Sequence, residues 1–362
     1  MNLMIPEADL AAWLRQHNID VDETSPLNRV LQMPVEVSHS PMPVPTDMEK
    51  AISWVAMPDI ECGVHFINAK GGISFWFYRQ FEDTDKIVGH FRDHEGQHLF
   101  IWTDEKEFIG QLKERLFLDT PLQGGDIGFD CSVKEFQVFL SAIDWWREQT
   151  LISLLERDQK AAFRTTPEKV LKTFTRSLDS KDRRWLTPSI AKISPFDFGL
   201  SAKDCKLGLA KLAEVNLAVN DGETWSFTPV MNELCAGISV STAIGAVFSR
   251  TRNEDKNWDR RHLVAMRGMA RFCIAKFEDL DTPEPIVRFR DSSWPDLELA
   301  ILDRFMEWRK RGSLSQAPDL DQPAEQAPAS PIPTSSTAFC SQCGQNAKPE
   351  DNFCSTCGNR LK

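Results

Sequence analysis

The strongest constraint on this chain lies near its end, where Cys340-Ser341-Gln342-Cys343-Gly344 and Cys354-Ser355-Thr356-Cys357-Gly358 repeat one pattern. Ten residues, counted from Gly344 to Phe353, separate the pairs. Two cysteines with two residues between them can turn around one ion, and a glycine after the second permits the tight turn beneath it. Two such knuckles supply four thiolates, which close a tetrahedral zinc site with no position left for water or substrate. One structural zinc held by Cys340, Cys343, Cys354 and Cys357 is therefore expected. A pair of redox dithiols is the alternative chemistry, but such pairs work in a βαβ setting that a short tail does not provide.

Phe339 to Leu361 resembles the small zinc ribbons at the ends of many bacterial and archaeal proteins. The resemblance implies a structural zinc and a surface for partners, without specifying which partner. Ahead of it, residues 312–337 are mostly Ser, Ala, Gln, Asp and Pro, with prolines at 318, 323, 328, 331 and 333 and almost no large apolar side chains. Such a stretch buries too little apolar surface to offset its chain entropy, so a disordered linker is expected.

The rest of the 362 residues is rich enough in apolar side chains for a sizeable core. The 23 Phe and 11 Trp against a single Tyr favour rings that bury rather than rings that display a hydroxyl. Cys62, Cys131, Cys205, Cys235 and Cys273 are scattered in apolar surroundings and read as buried thiols. No apolar run reaches the roughly 18 residues of a membrane span, and Met1 to Leu14 carries Glu7 and Asp9 rather than a basic, apolar leader. The expectation is a soluble, reduced, cytoplasmic protein without a membrane partner.

Charge is unevenly placed. The net charge is −11, yet the first 150 residues carry −13, whereas Arg157 to Lys211 holds 13 basic and 6 acidic side chains. The basic stretch could meet a polyanion.

Period-2 alternation and turn residues predict two similar runs of strands. In the first, Cys62 to Asn68, Ile73 to Gln80, Ile87 to Arg92 and His98 to Thr103 read as strands. A helix starting near Asp104 follows, with Phe108, Leu112 and Leu116 on one face. In the second, Ala243 to Arg250, His262 to Arg267, Ala270 to Phe277 and Ile286 to Arg290 read as strands before a helix capped by Ser293 with Leu297, Ile301, Phe305 and Trp308 as its stripe. The order of elements repeats; coincidence among common patterns is the competing explanation. His90, His94 and His98 fall four apart, but Gly89 and Gly96 favour a hairpin with His94 at its turn and the histidines solvated on a sheet edge.

Between the two runs, a capping box from Ser132 to Glu135 opens a helix with Phe136, Phe139, Leu140 and Ile143 on its apolar face, extending to about Glu156. Helices are expected over Pro167 to Ser177, near Pro188 to Ile193, and from Ser201 with Asp204 as its reciprocal cap. The turn Asn220-Asp221-Gly222 then joins two short strands. This order over about Thr166 to Leu234 resembles a winged helix. For nucleic acid, the resemblance implies Lys203, Lys206 and Lys211 on the third helix, with Arg176, Lys181, Arg183 and Arg184 upstream for phosphates. The third helix lacks Arg, Asn and Gln at its start to read base edges, and the wing carries Asp221 and Glu223. Winged helices also dock proteins, and both uses stay open.

No Gly-rich phosphate loop, Gly-x-Ser-x-Gly elbow or His-Glu-x-x-His motif occurs in the sequence, and neither a catalytic site nor a small-molecule substrate is identified. The fold class expected is α+β: antiparallel sheet-plus-helix units flanking a winged-helix-like middle. In sequence order these are an acidic N-terminal unit (1–131), a connecting helix (132–165), the winged-helix-like segment (166–234), a second unit (235–311), the linker (312–337) and the zinc ribbon (338–362). Two such units around a helical middle also resemble type VII secretion chaperones by topology. The function expected is a protein-interaction or adaptor role with an unidentified protein partner. The alternatives are a DNA-binding regulator and, more remotely, a secretion chaperone.

Overall fold

Alternating apolar side chains bury one face of a strand against a helical layer, and in this chain they do so across one continuous sheet. The computed structural model describes residues 2–34, 41–68, 71–81, 86–115, 125, 127–157, 164–180, 182, 185–238, 243–253, 257–293, 338–339 and 346–347. Met1–Ser315 forms one compact unit and Gln316–Lys362 another.

The chain starts with β1 (Asn2–Pro6), α1 (Glu7–Gln16), α2 (Pro26–Leu31) and α3 (Thr46–Ala56). The meander β2 (Ile60–Asn68), β3 (Gly71–Arg79), β4 (Ile87–Arg92) and β5 (Gln97–Thr103) follows, and then α4 (Glu105–Arg115). After β6 (Gly128–Ser132) comes a helical middle: α5 (Val133–Glu156), β7 (Arg164–Thr165), α6 (Pro167–Leu178), α7 (Leu186–Ala191) and α8 (Ala202–Glu214). It continues through β8 (Ala218–Asn220), β9 (Trp225–Phe227) and α9 (Pro229–Ile238). A second meander closes the body with β10 (Ala243–Arg252), β11 (Trp258–Arg267), β12 (Phe272–Glu278) and β13 (Ile286–Asp291).

The two meanders are joined edge to edge in a ten-stranded sheet of order β1-β5-β4-β3-β2-β10-β11-β12-β13-β6. At its centre β2 and β10 pair antiparallel with Val64 opposite Val247. Strand order reads outward identically from that pair, and each meander is flanked by a strand that leads directly into a helix, β1 into α1 and β6 into α5. The described strands of the two runs thus share one order. The helix expected after Ser293 and the linker lie outside the described residues.

Alternation sets the layers. Tyr78, Val88 and Phe100 face α1 to α3, while Phe77 and Ile87 face the opposite way, with Phe108 of α4 against Phe77 at 4.4 Å between ring centroids. In the other half, Ile244, Val264 and Phe289 pack under the helical middle, and Leu263, Ala265 and Ile274 turn to the α4 side. The register of β2 on β10 places the cover of α1 to α3 and the cover of α5 on the same face of the sheet. Gly63 allows a close approach here: a Cβ on it would sit 2.7 Å from the ring of its cross-strand neighbour Trp76.

Local chemistry accounts for the helix ends. Ser132 and Glu135 form both halves of a capping box on α5, and Ser201 with Asp204 does the same on α8. Asp144 on α5 accepts the backbone N–H groups of Leu186 and Thr187, each at 2.9 Å, and so caps α7 from another helix. The small sheet of the middle has the order β7-β9-β8; β7, two residues long, was not expected from the sequence.

The histidine expectation needs correction. His94 lies in the exposed turn, but β4 and β5 are interior strands, and His90 and His98 are buried at 4% and 1% exposure on the face that α1 to α3 cover. The alternation around them carries the hairpin, but it could not reveal that the face they share is covered.

Candidate functional site

The basic side chains of the middle are brought together only in part. Lys203 and Lys206 are exposed on α8, two positions near its start. Lys211, two turns further on, is half-buried and donates to Glu214 at 2.8 Å, a hydrogen bond that raises its affinity for its proton. Arg176 on α6 is ion-paired with Glu148 of α5 and stacks over Trp185 at 5.8 Å. Lys181, Arg183 and Arg184 lie outside the described residues.

Acidic groups stand where a phosphate would have to approach. The first turn of α8 is capped by Asp204, whose carboxylate accepts from the Ser201 backbone at 2.8 Å and from its hydroxyl at 2.7 Å; these bonds hold its pKa below the usual aspartate value. A second anion at that terminus would meet an N-terminal dipole already answered by one. At the hairpin tip, Asp221 accepts from the Thr224 backbone at 2.7 Å and pairs with Arg164 at 3.4 Å, with Gly222 supplying the positive φ of the turn.

A different surface of the middle stands out by its chemistry. The first half of α5 is a core helix, buried from Phe136 to Trp145. Its last two turns leave that core with Leu151, Ile152, Leu154 and Leu155 still apolar, and Leu154 and Leu155 are 70% and 84% exposed. Arg157 ends the helix in the left-handed conformation. Leu207 on α8, Val219 on β8 and Val230 on α9 are also exposed, so much of the bare aliphatic surface among the described residues falls on this middle region. Single exposed leucines are ordinary; four on two consecutive turns form a patch suited to another apolar surface. In the sequence the aliphatic positions of α5 simply continue to Leu155; that they are left uncovered depends on distant packing and was missed.

The scattered thiols are buried and unbridged, and burial raises the pKa of Cys131, Cys205, Cys235 and Cys273, that of Cys205 to about 11. Such thiols are poor nucleophiles. The four C-terminal cysteines lie outside the described residues. On either side of the first pair in sequence, Ala338–Phe339 (β14) and Asn346–Ala347 (β15) form an antiparallel pair with Phe339 opposite Asn346. No helix among the described residues is long and apolar enough to cross a membrane. No protein-family model matches this chain, and no curated protein matches it.

Proposed function

We propose that this chain is a cytoplasmic interaction or adaptor protein, whose helical middle docks another protein and whose tail is a zinc ribbon. The observation that carries the reading is the run of exposed aliphatic side chains on the last two turns of α5. Water ordered by that patch is released when a partner covers it, which gives the patch an affinity that the paired basic residues lack.

The middle is a winged-helix module in this reading. Its support is the succession of α5, β7, α6, α7, α8 and the hairpin β8·β9, together with β7 pairing on the far side of β9. The tail binds one structural zinc through Cys340, Cys343, Cys354 and Cys357. Four thiolates leave no open coordination position, and a hairpin such as β14·β15 is what a knuckle requires around its cysteine pair.

DNA binding is the second reading, favoured by Lys203 and Lys206 standing exposed on one helix. A titration of full-length protein into labelled duplex DNA at low and at physiological salt separates the two. Phosphate neutralisation releases counterions, so true DNA binding weakens steeply with salt. The adaptor reading expects no sub-micromolar binding at either salt. Tight, salt-sensitive binding abolished by Lys203→Glu with Lys206→Glu would put the DNA-binding regulator in its place.

A further inference from the structure

On the face of the sheet that α1 to α3 cover, a cavity of about 840 Å³ opens between α2 and strands β3 to β5, a volume within the range of small-molecule sites. Strand register brings Trp76, His90 and His98 to that face, with Trp76 directly across from His90. Trp76 forms a flat plate on the cavity wall. A Cβ on Gly63 would lie 2.7 to 3.0 Å from three adjacent atoms of its ring, so the ring lies face-on to that glycine and turns its other face to the cavity. His65 stands perpendicular to the ring at 5.6 Å between centroids and is bonded to the Ser74 hydroxyl at 2.7 Å, which fixes the plate in place.

The two buried histidines are hydrogen-bonded to each other, His90 Nε2 to His98 Nδ1, at 2.9 Å. Glu7, whose carboxylate accepts from Arg92 at 3.1 and 2.9 Å, stands 3.7 Å from Nε2 of His98. That is too far for a hydrogen bond, yet near enough to favour the tautomer that carries its proton on Nε2. Burial lowers the pKa of His98, so the ring is neutral at physiological pH and donates from this one position. His98 lines the cavity, and its Nε2 is buried without a hydrogen-bond partner among the described residues. A buried donor left unpaired costs stability until an acceptor reaches it.

The charged groups on the described wall narrow the choice of ligand. Arg92 is engaged by Glu7, whereas Arg29 on α2 is exposed and makes no ion pair among the described residues. Both groups that lack a partner, the guanidinium of Arg29 and Nε2 of His98, are donors, so they call for acceptors rather than for a cation. One unpaired guanidinium matches one carboxylate, which it can bind through two parallel hydrogen bonds. A phosphate dianion would set two charges against that single cation, with Glu7 and Glu23 on the same wall. We propose that this cavity binds a small aromatic monocarboxylate, its flat ring stacked on Trp76, its carboxylate on Arg29, and a further oxygen accepting from Nε2 of His98. The site is separate from the α5 patch and from the C-terminal cysteines, and depends on neither.

The test is calorimetric titration of the full-length chain with kynurenate, a flat bicyclic monocarboxylate that carries a ring oxygen across from its carboxylate. One molecule per chain is expected, with a Kd at or below about 1 mM. The methyl ester of kynurenate, which lacks the charge, and quinaldate, which lacks the ring oxygen, should each bind about tenfold more weakly or worse. Arg29→Gln, a change at an exposed position, should weaken kynurenate by a similar factor and remove its advantage over the ester. His94→Gln, at the exposed turn of the β4·β5 hairpin, should change nothing. Imidazole nitrogen resonances of the wild type give a second readout that needs no variant: Nε2 of His98 should move with kynurenate and stay in place with quinaldate. Absence of saturable binding, equal affinity for acid and ester, wild-type affinity in Arg29→Gln, or a His98 resonance that does not respond would overturn the assignment. Tighter binding of adenosine monophosphate than of kynurenate would overturn it in favour of a phosphate site.

Discussion

Asp144 is a carboxylate without access to water, and it is positioned to start a helix. Burial raises its pKa to about 6, against the opposing pull of the Thr187 and Leu186 N–H groups that it accepts. The folded chain therefore keeps this proton to about pH 6, while an unfolded aspartate releases it near 3.8. Between those values the folded state binds more protons, so this group's contribution to stability falls as pH rises. Compared with Asp144→Asn, which cannot ionise, the wild type should lose up to about 3 kcal/mol from pH 4 to pH 6.5 in urea unfolding. Parallel stability profiles for the two proteins would contradict the assignment. Asp144 was invisible in the sequence because its partners lie more than forty positions away. The capping boxes of Ser132 and Ser201 were readable because both of their members fall within one turn.

At the scale of elements, the strands of both meanders were legible in alternation and in the turn residues between them, since both signals are local. The short β1, β6 and β7 were not, because two to five residues carry too little pattern and are strands only by virtue of distant partners. Helix α5 shows both limits: its cap and length were legible, whereas the exposure of Leu154 and Leu155 depends on what fails to pack beside them. The cysteine knuckles remain the clearest motif, and their prediction belongs to this scale as well. Cys354→Ser should release the zinc from the full-length chain, by metal analysis, and leave the melting temperature of the body unchanged, since the binding energy of such a site is folding energy for the tail alone. A reduced preparation without zinc, or a body that melts together with the tail, would contradict this.

At the scale of the molecule, two meanders become one sheet by pairing β2 with β10, strands separated by the whole helical middle. Nothing in the alternation of either strand names its partner, which is why the repeat was legible and the seam was not. The seam is also tied by charge. Buried Arg250 of β10 pairs with Glu61 of β2 and donates to the Thr24 carbonyl at 3.1 Å, and Arg252 pairs with Asp22. Both guanidinium groups stack on Trp258, at 4.4 and 5.0 Å. Breaking one such buried pair strands the other charge, so the seam is specific as well as apolar. This sheet holds the helical middle on one half of one face, with the last turns of α5 exposed. In the proposed function those turns are a protein-docking surface. Its most direct test is capture of the tagged full-length chain from its own cells, with and without nuclease, alongside Leu154→Glu with Leu155→Glu and, separately, Lys203→Glu with Lys206→Glu. A nuclease-resistant protein partner is expected, retained by the lysine variant and lost from the leucine variant while its melting temperature holds; a partner that survives the leucine changes, or that vanishes with nuclease, would rule out docking on α5.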